Sequence, residues 1–284
     1  MRWRYDTAFI SEQPLRQIMT GGPGSLRKAL DDAIHDAVLG KDVAVAFSGG
    51  LDSGIVAAVV KEYADHATLY TVGTEGSHDV KEARTCAEEL GMEWVHIPIT
   101  ESDILDCLKE MISITGTRDP ITLSFEVPLF FVCKNCKEKD VFGGQGADEL
   151  FVGYSKYIGL SEGDLMTKIT EDLRKLSEYT LPHEKKVAEH FGRGIHYPFL
   201  DCRVLDAVND LKLFTAPTDD PMSRKAVLRE VSGLMGYPKI SMKEKKAAQY
   251  GSGAMTLIKK ICKDKNTTYA GLIEMLCREV ERNG

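Results

Sequence analysis

Ser48-Gly49-Gly50-Leu51-Asp52-Ser53 has the composition of an anion-holding turn. Glycines let a phosphate approach the main chain closely, and the two serines add hydroxyl donors. The apolar run Val43-Ala44-Val45-Ala46-Phe47 precedes it, and Gly54-Ile55-Val56-Ala57-Ala58-Val59-Val60 follows. This predicts a buried strand, a tight turn and a helix start. A helix N-terminus presents unpaired N–H groups and the positive end of a dipole. Asp52 is out of place beside bare phosphate, because a carboxylate repels it. A magnesium ion between the two resolves the conflict, since hard cations take oxygen ligands. The Walker pattern G-x-x-x-x-G-K-[ST] is absent, and the turn lacks the G-x-G-x-x-G spacing of a dinucleotide site.

A second glycine loop runs Gly143-Gly144-Gln145-Gly146-Ala147-Asp148-Glu149-Leu150-Phe151-Val152-Gly153-Tyr154. It too reads as a strand–loop–helix junction. Acids at a helix start complement its dipole. Beside a first loop that already calls for magnesium, Asp148 has a further use: Asp52 and Asp148 can bridge one metal from two strand ends.

These loops need a frame. The spacing of Leu26, Leu30, Ile34 and Val38 predicts a helix over 25–39, with Ser25 as N-cap and Gly40 as its stop. Strands are expected at 43–47, 67–73, 94–99 and 141–142, and helices at 79–90, 102–115 and about 126–137. Alternating strands and helices give a parallel sheet with helices on both faces. Ligands in such sheets sit at the carboxyl ends of strands, where both glycine loops fall. After Tyr157 strand signals fade, and loops such as Gly192-Arg193-Gly194 separate helices. The expected organisation is a lead-in over 1–24, an α/β core over 25–158, and a mainly helical C-terminal lobe over 159–284 completing the site.

The chain has 284 residues, an apolar fraction of 43% and a formal charge of −7. That balance argues against nucleic acid as a partner. From Lys239 to Lys265 there are eight Lys and two acids, a solvated surface or a cationic flap over phosphates. Seven cysteines, odd in number and irregularly spaced, point to a reducing compartment. Cys133 and Cys136 form a C-x-x-C pair without a second pair to complete a zinc site, and read as ordinary thiols on a helix. No apolar h-region and no run of about 20 apolar residues appears, so a soluble cytoplasmic protein with no membrane partner is expected.

SGGLDS, GGQGADELFVGY and Tyr197-Pro198-Phe199-Leu200-Asp201 occur in the order seen in the synthetase domain of asparagine synthases. Val72 through Asp79, Asp119-Pro120, the segment Lys225 to Arg229, and Ile240 through Gly253 also resemble that family. The likeness spans about residues 25–265 and implies a PP-loop fold using ATP and Mg2+. It assigns Phe47, Val72, Gly143 and Gly144 to the nucleotide. Ser48, Gly49, Gly50, Asp52 and Ser53 would hold pyrophosphate, and Asp52 and Asp148 the magnesium. It places Lys245 near the α-phosphate, with Gln145 and Asp148 as further catalytic positions. The implied reaction is adenylation of a carboxylate, aspartate by default, with pyrophosphate release and then transfer to ammonia or an amine.

Three departures qualify the likeness. No glutaminase domain fits before residue 25, so nitrogen would arrive as ammonia, as an amine, or from a separate glutaminase subunit. Gln145 stands where the family has Glu, and glutamine cannot take a proton. Gly194 stands where the family has a glutamate upstream of its PFLD segment, leaving His196 or Glu189 as substitutes. The rival readings are a PP-loop tRNA-modifying enzyme and a non-catalytic nucleotide-binding relative.

Overall fold

Among the described residues five strands form one sheet in the order β3-β2-β1-β4-β5, all parallel. They are β1 Asp42–Ala46, β2 His66–Gly73, β3 Glu93–Pro98, β4 Asp140–Phe142 and β5 Gly194–His196. The structure is a computed structural model and describes residues 22–211, 217–243 and 248–283. β1 is central, and Val43, Ala44 and Val45 are fully buried. A strand covered on both sides reads as a continuous apolar run, as this one does.

Two hydrophobic clusters lie on the two faces of the sheet, sorted by the two-residue period of the strands. Val43, Val45, Leu69 and Phe142 face one cluster, with helices α1 (Pro23–Val38), α2 (Leu51–Tyr63) and α3 (His78–Leu90). Ala44, Tyr70, Val72 and Val141 face the other, with α4 (Glu101–Thr115) and α5 (Pro120–Asn135). Beyond them come α6 (Ala147–Leu150) and α7 (Glu162–Lys175), then a π-turn segment Leu176–Thr180 leading into α8 (Leu181–His190). The later helices divide between the faces. α9 (Cys202–Asp210) and α10 (Ala226–Leu234) join the α1 side, whereas α13 (Ala254–Asp264) and α14 (Tyr269–Asn283) join the α4 side. Two short helices, α11 (Pro238–Ser241) and α12 (Ala248–Gly251), connect these layers.

Three local expectations need correction. β5 occupies a stretch expected to be loop; it is three residues long and pairs with β4, Ile195 opposite Val141. So short an edge strand leaves no alternation to read. Ser25 is not the N-cap of α1. The helix begins at Pro23, which needs no N–H partner, and Ser25 Oγ reaches back to accept from Gly22 N at 3.1 Å. α5 begins at Pro120 rather than near 126, because Asp119 caps it by accepting from Thr122 N at 2.9 Å.

The strand order has a functional consequence. From β1 the chain moves to β2 and β3 on one side, then crosses to β4 on the other. The carboxyl ends of β1 and β4 therefore flank the point where the winding reverses, and a crevice opens there. Among the described residues no helix is long and apolar enough to cross a membrane.

Candidate active site

The SGGLDS turn leaves β1 folded on its own hydroxyls. Ser48 Oγ and Ser53 Oγ lie 3.2 Å apart, and Gly50 N donates to Ser48 Oγ at 3.3 Å. α2 starts immediately, with Gly50 as an N-cap that makes no side-chain hydrogen bond. Its first-turn N–H groups thus have no side-chain cap to satisfy them. Gly49 has φ +72°, and a Cβ there would lie 2.4 Å from Ala83 N on α3. The turn is pressed against that helix, and only glycine fits.

The second loop leaves β4 alongside. Its Asp148 meets Asp52 through a lysine: Lys225 Nζ is 2.5 Å from Asp52 Oδ2 and 2.6 Å from Asp148 Oδ1. Lys225 is 5 % exposed and sits in the left-handed region, φ 55°, at the start of α10. Burial alone would lower its pKa; the charges of Asp148 and Asp52 outweigh this and hold it raised, so it stays an ammonium. Gly153 makes room for this arrangement. A Cβ there would fall 2.2 Å from both Asp148 Oδ1 and Lys225 Cε.

The carboxylate pair thus shares one positive charge, the Lys225 ammonium. No group of three or more His, Cys, Asp or Glu among the described residues forms a complete metal cage. Two carboxylates with the remaining positions left to phosphate and water suit magnesium, which is usually bound that way.

Both loops line one cavity of about 1040 Å³. Phe47, Ser48, Gly49, Gly50, Asp52 and Ser53 form one side of its wall, with Val72 from β2. Gly143, Gly144, Gln145 and Asp148 form the adjoining side. Lys245 lies outside the described residues. The lysine-rich run divides. Lys239 and Lys243 are in the wall with Arg224, Lys225 and Arg229, and Lys243 pairs with Glu82. Lys260 instead pairs with Glu101, away from the cavity.

Glu184 and Glu126 are buried acids in the wall that the sequence does not single out. Glu184 on α8 is 3 % exposed. Gln145 Nε2 donates to its Oε1 at 2.5 Å, and the Tyr197 hydroxyl donates to its Oε2. Burial pushes Glu184 up to about 7, against the downward pull of those two bonds. Glu126 on α5 is 1 % exposed, and burial, with Glu184 and Asp119 nearby, pushes it up to about 9. Spacing could have exposed both. Glu184 shares a helix face with buried Val187 and Ala188, and Glu126 sits among Leu123, Val127 and Phe130. A carboxyl on an apolar face is costly unless it has a use.

The substitutes expected for the missing acid lie elsewhere. His196 Nε2 is 2.6 Å from Asp140 Oδ1 and its ring stacks on Phe142, outside the cavity wall. Glu189 pairs with Lys185 on the outer side of α8. The Tyr197–Asp201 segment is partly scaffold. Asp201 accepts from Arg203 Nε at 2.8 Å, and Arg203 reaches Asp36 at 2.7 Å, tying α9 to α1. Cys133 and Cys136 are buried at the end of α5. Arg193 donates to the Cys136 carbonyl at 2.7 Å and to that of Cys133 at 3.3 Å, satisfying a helix C-terminus.

Paired glycine loops at the reversal point of a parallel sheet, with an acid on each, define a chain of the PP-loop class. The profile of the asparagine synthase family matches residues 25–171, and the chain belongs to that family. It is 28% identical over 225 residues to asparagine synthetase B [glutamine-hydrolyzing] of Escherichia coli, covering 72% of this chain and 40% of that protein. It is 30% identical over 200 residues to the asparagine synthetase of Asparagus officinalis, covering 65% of this chain and 34% of that protein. The chain spans about half or less of the length of these relatives. Among solved structures, NMN synthetase from Francisella tularensis aligns with a TM-score of 0.45 and 15% identity, over 90% of this chain and 87% of that one. An NH3-dependent NAD synthetase from Campylobacter jejuni aligns at 0.35 and 18%, over 80% and 99%. The fold assignment rests on the strand order itself.

Proposed function

We propose that this chain binds ATP with Mg2+ in the reversal-point cavity and adenylates a small carboxylate. Aspartate is the default substrate. The observation that carries the reading is the sharing of one cation by Asp52 and Asp148. The first turn, from Ser48 to Ser53, cradles the β and γ phosphates with its N–H groups and hydroxyls. Phe47, Val72, Gly143 and Gly144 contact the nucleotide. Asp52 and Asp148 would hold magnesium, which when bound would neutralise the negative charge of the phosphates. Lys225 keeps that acid pair compensated. Lys245 stabilises the oxygens of the α-phosphate as charge develops on them.

A substrate carboxylate oxygen bonds to the α-phosphorus, the bond to the bridging oxygen breaks, and pyrophosphate leaves. The amine nitrogen then bonds to the acyl carbon, and AMP leaves with the electron pair. The nitrogen must shed a proton in that step. Glu184 is placed to accept it, its acidity tuned near neutrality. Gln145 cannot be the base; it orients Glu184 through its amide. Nitrogen arrives as ammonia, as an amine, or through a separate glutaminase subunit.

The test is a nucleotide-product assay with MgATP and a panel of carboxylates, run with and without ammonium and small amines. AMP and pyrophosphate are expected for at least one carboxylate. Absence of AMP with every carboxylate, or release of ADP and phosphate instead, overturns the proposal.

A further inference from the structure

Glu126 is the most anomalous side chain in the cavity wall. It is 1 % exposed, yet neither carboxyl oxygen has a hydrogen-bond partner. His183 Nδ1 lies 3.7 Å from its Oε1, beyond hydrogen-bond distance. Burial lowers the pKa of that histidine, with Lys186 adding to the effect. His183 therefore brings no positive charge at neutral pH. The other acids acting on Glu126 are Glu184 and Asp119. Buried carboxyl groups in native proteins are almost always paired or hydrogen-bonded. An acid left this way in the wall of a large cavity lacks a partner that the described residues do not supply.

The surroundings of Glu126 say what that partner looks like. Ile121, Phe125 and Leu129 from the same helix line the cavity, and Ile121 and Phe125 remain exposed within it. Of the cations in the wall, Lys225 sits between Asp52 and Asp148 and Lys156 pairs with Asp172, whereas Lys175 acts on Asp119, the cap of the helix that carries Glu126. Ligand sites for molecules of drug size occupy about 300–1,000 Å³, and the cavity, about 1040 Å³, lies at the upper end of that range.

We propose that Glu126, with Glu184 beside it, forms a subsite for the basic nitrogen of an alkyl amine whose hydrocarbon part lies against Ile121, Phe125 and Leu129. The proposal rests on the ligase reading and deepens it by naming the acceptor as an organic amine rather than ammonia. An alkylammonium supplies the missing charge and donates to the vacant carboxyl oxygens. Glu126 gives up its proton when the cation arrives, so binding releases a proton to the buffer.

The experiment is calorimetric titration of the full chain at pH 7.5 with 1-aminobutane, ammonium and butyrate, each in two buffers of different ionisation enthalpy. Wild type is expected to bind 1-aminobutane at least tenfold more tightly than ammonium, releasing about one proton. Glu126→Gln is expected to lose at least tenfold in amine affinity, with an unfolding midpoint equal to or above wild type, since a vacant acid contributes nothing to folding. Equal affinity for ammonium and 1-aminobutane, preferential binding of butyrate, or binding without proton release overturns the subsite. The proton count is read on wild type and survives any misfolding of the variant. MgATP titrated separately into both proteins tests the nucleotide reading: loss of ATP binding with intact amine binding sinks that reading and leaves the subsite standing.

Discussion

Asp52 and Lys225, 173 residues apart in the chain, meet with 2.5 Å between Oδ2 and Nζ. Asp148 closes the triad at 2.6 Å from the same nitrogen. The chain's own ammonium thus stands where the proposed metal would add its charge. Removing one partner of a buried ion pair costs about 3–5 kcal/mol, because the other charge is left uncompensated. Lys225→Met should therefore lower unfolding free energy by about that much in EDTA. Millimolar Mg2+ should restore part of the loss, while barely moving wild type in the absence of nucleotide. Denaturant unfolding with and without the metal checks this. A variant indifferent to Mg2+ would mean that Lys225 and the metal do not share the Asp pair.

Gly153 sets the clearance for this cluster, since a methyl group there would overlap Asp148 Oδ1 and Lys225 Cε. Overpacking of this kind costs typically about 1–3 kcal/mol. Gly153→Ala should fall in that range and also weaken ATP binding. Gly163, within α7, has open space where a methyl group would go, and Gly163→Ala should instead stabilise by about 0.5–1 kcal/mol. Thermal unfolding of the pair separates steric from general glycine effects.

Glu184 ties pH to stability. Its folded pKa, about 7, stands above the ordinary value of 4.5. Below 4.5 both folded and unfolded forms are protonated, and there is no penalty. As pH rises from 4.5 to 7 the unfolded chain ionises first and gains, so stability declines across that window, by on the order of 3 kcal/mol. Glu184→Gln should flatten the decline. The same variant should abolish the rise of AMP formation through pH 7 if Glu184 accepts the amine's proton. Unfolding curves from pH 4 to 8 beside a pH–rate profile would expose either failure.

Much of this was readable in the residues. The apolar run of β1 and the two glycine loops located the cavity, because a buried parallel strand and a tight turn each leave a compositional mark. In the sequence Lys225 stands out only as the first residue of the segment Lys225 to Arg229. Its encounter with Asp52 and Asp148 depends on α10 folding back over the sheet, a long-range contact that spacing does not encode. β5 escaped because three residues carry no period. Glu184 escapes for a different reason: the family pattern puts the missing acid at Gly194, in a stretch that reads as loop. The fold supplies a buried carboxylate from the helix before it.

The last prediction separates likeness from geometry. By family pattern alone, Gln145→Glu restores an acid and should improve the enzyme. The structure argues the reverse. Gln145 Nε2 donates to Glu184 Oε1 at 2.5 Å, so the substitution sets one buried carboxyl against another. Two acids that close cannot both ionise; they share a proton, and one of their apparent pKa values climbs. Glu184 would then hold its proton above pH 7, and the amine would find no acceptor at neutrality. The variant should lose at least tenfold in AMP formation at pH 7 and recover toward pH 9. A faster variant with an unchanged pH profile would show that position 145, and not Glu184, governs proton transfer.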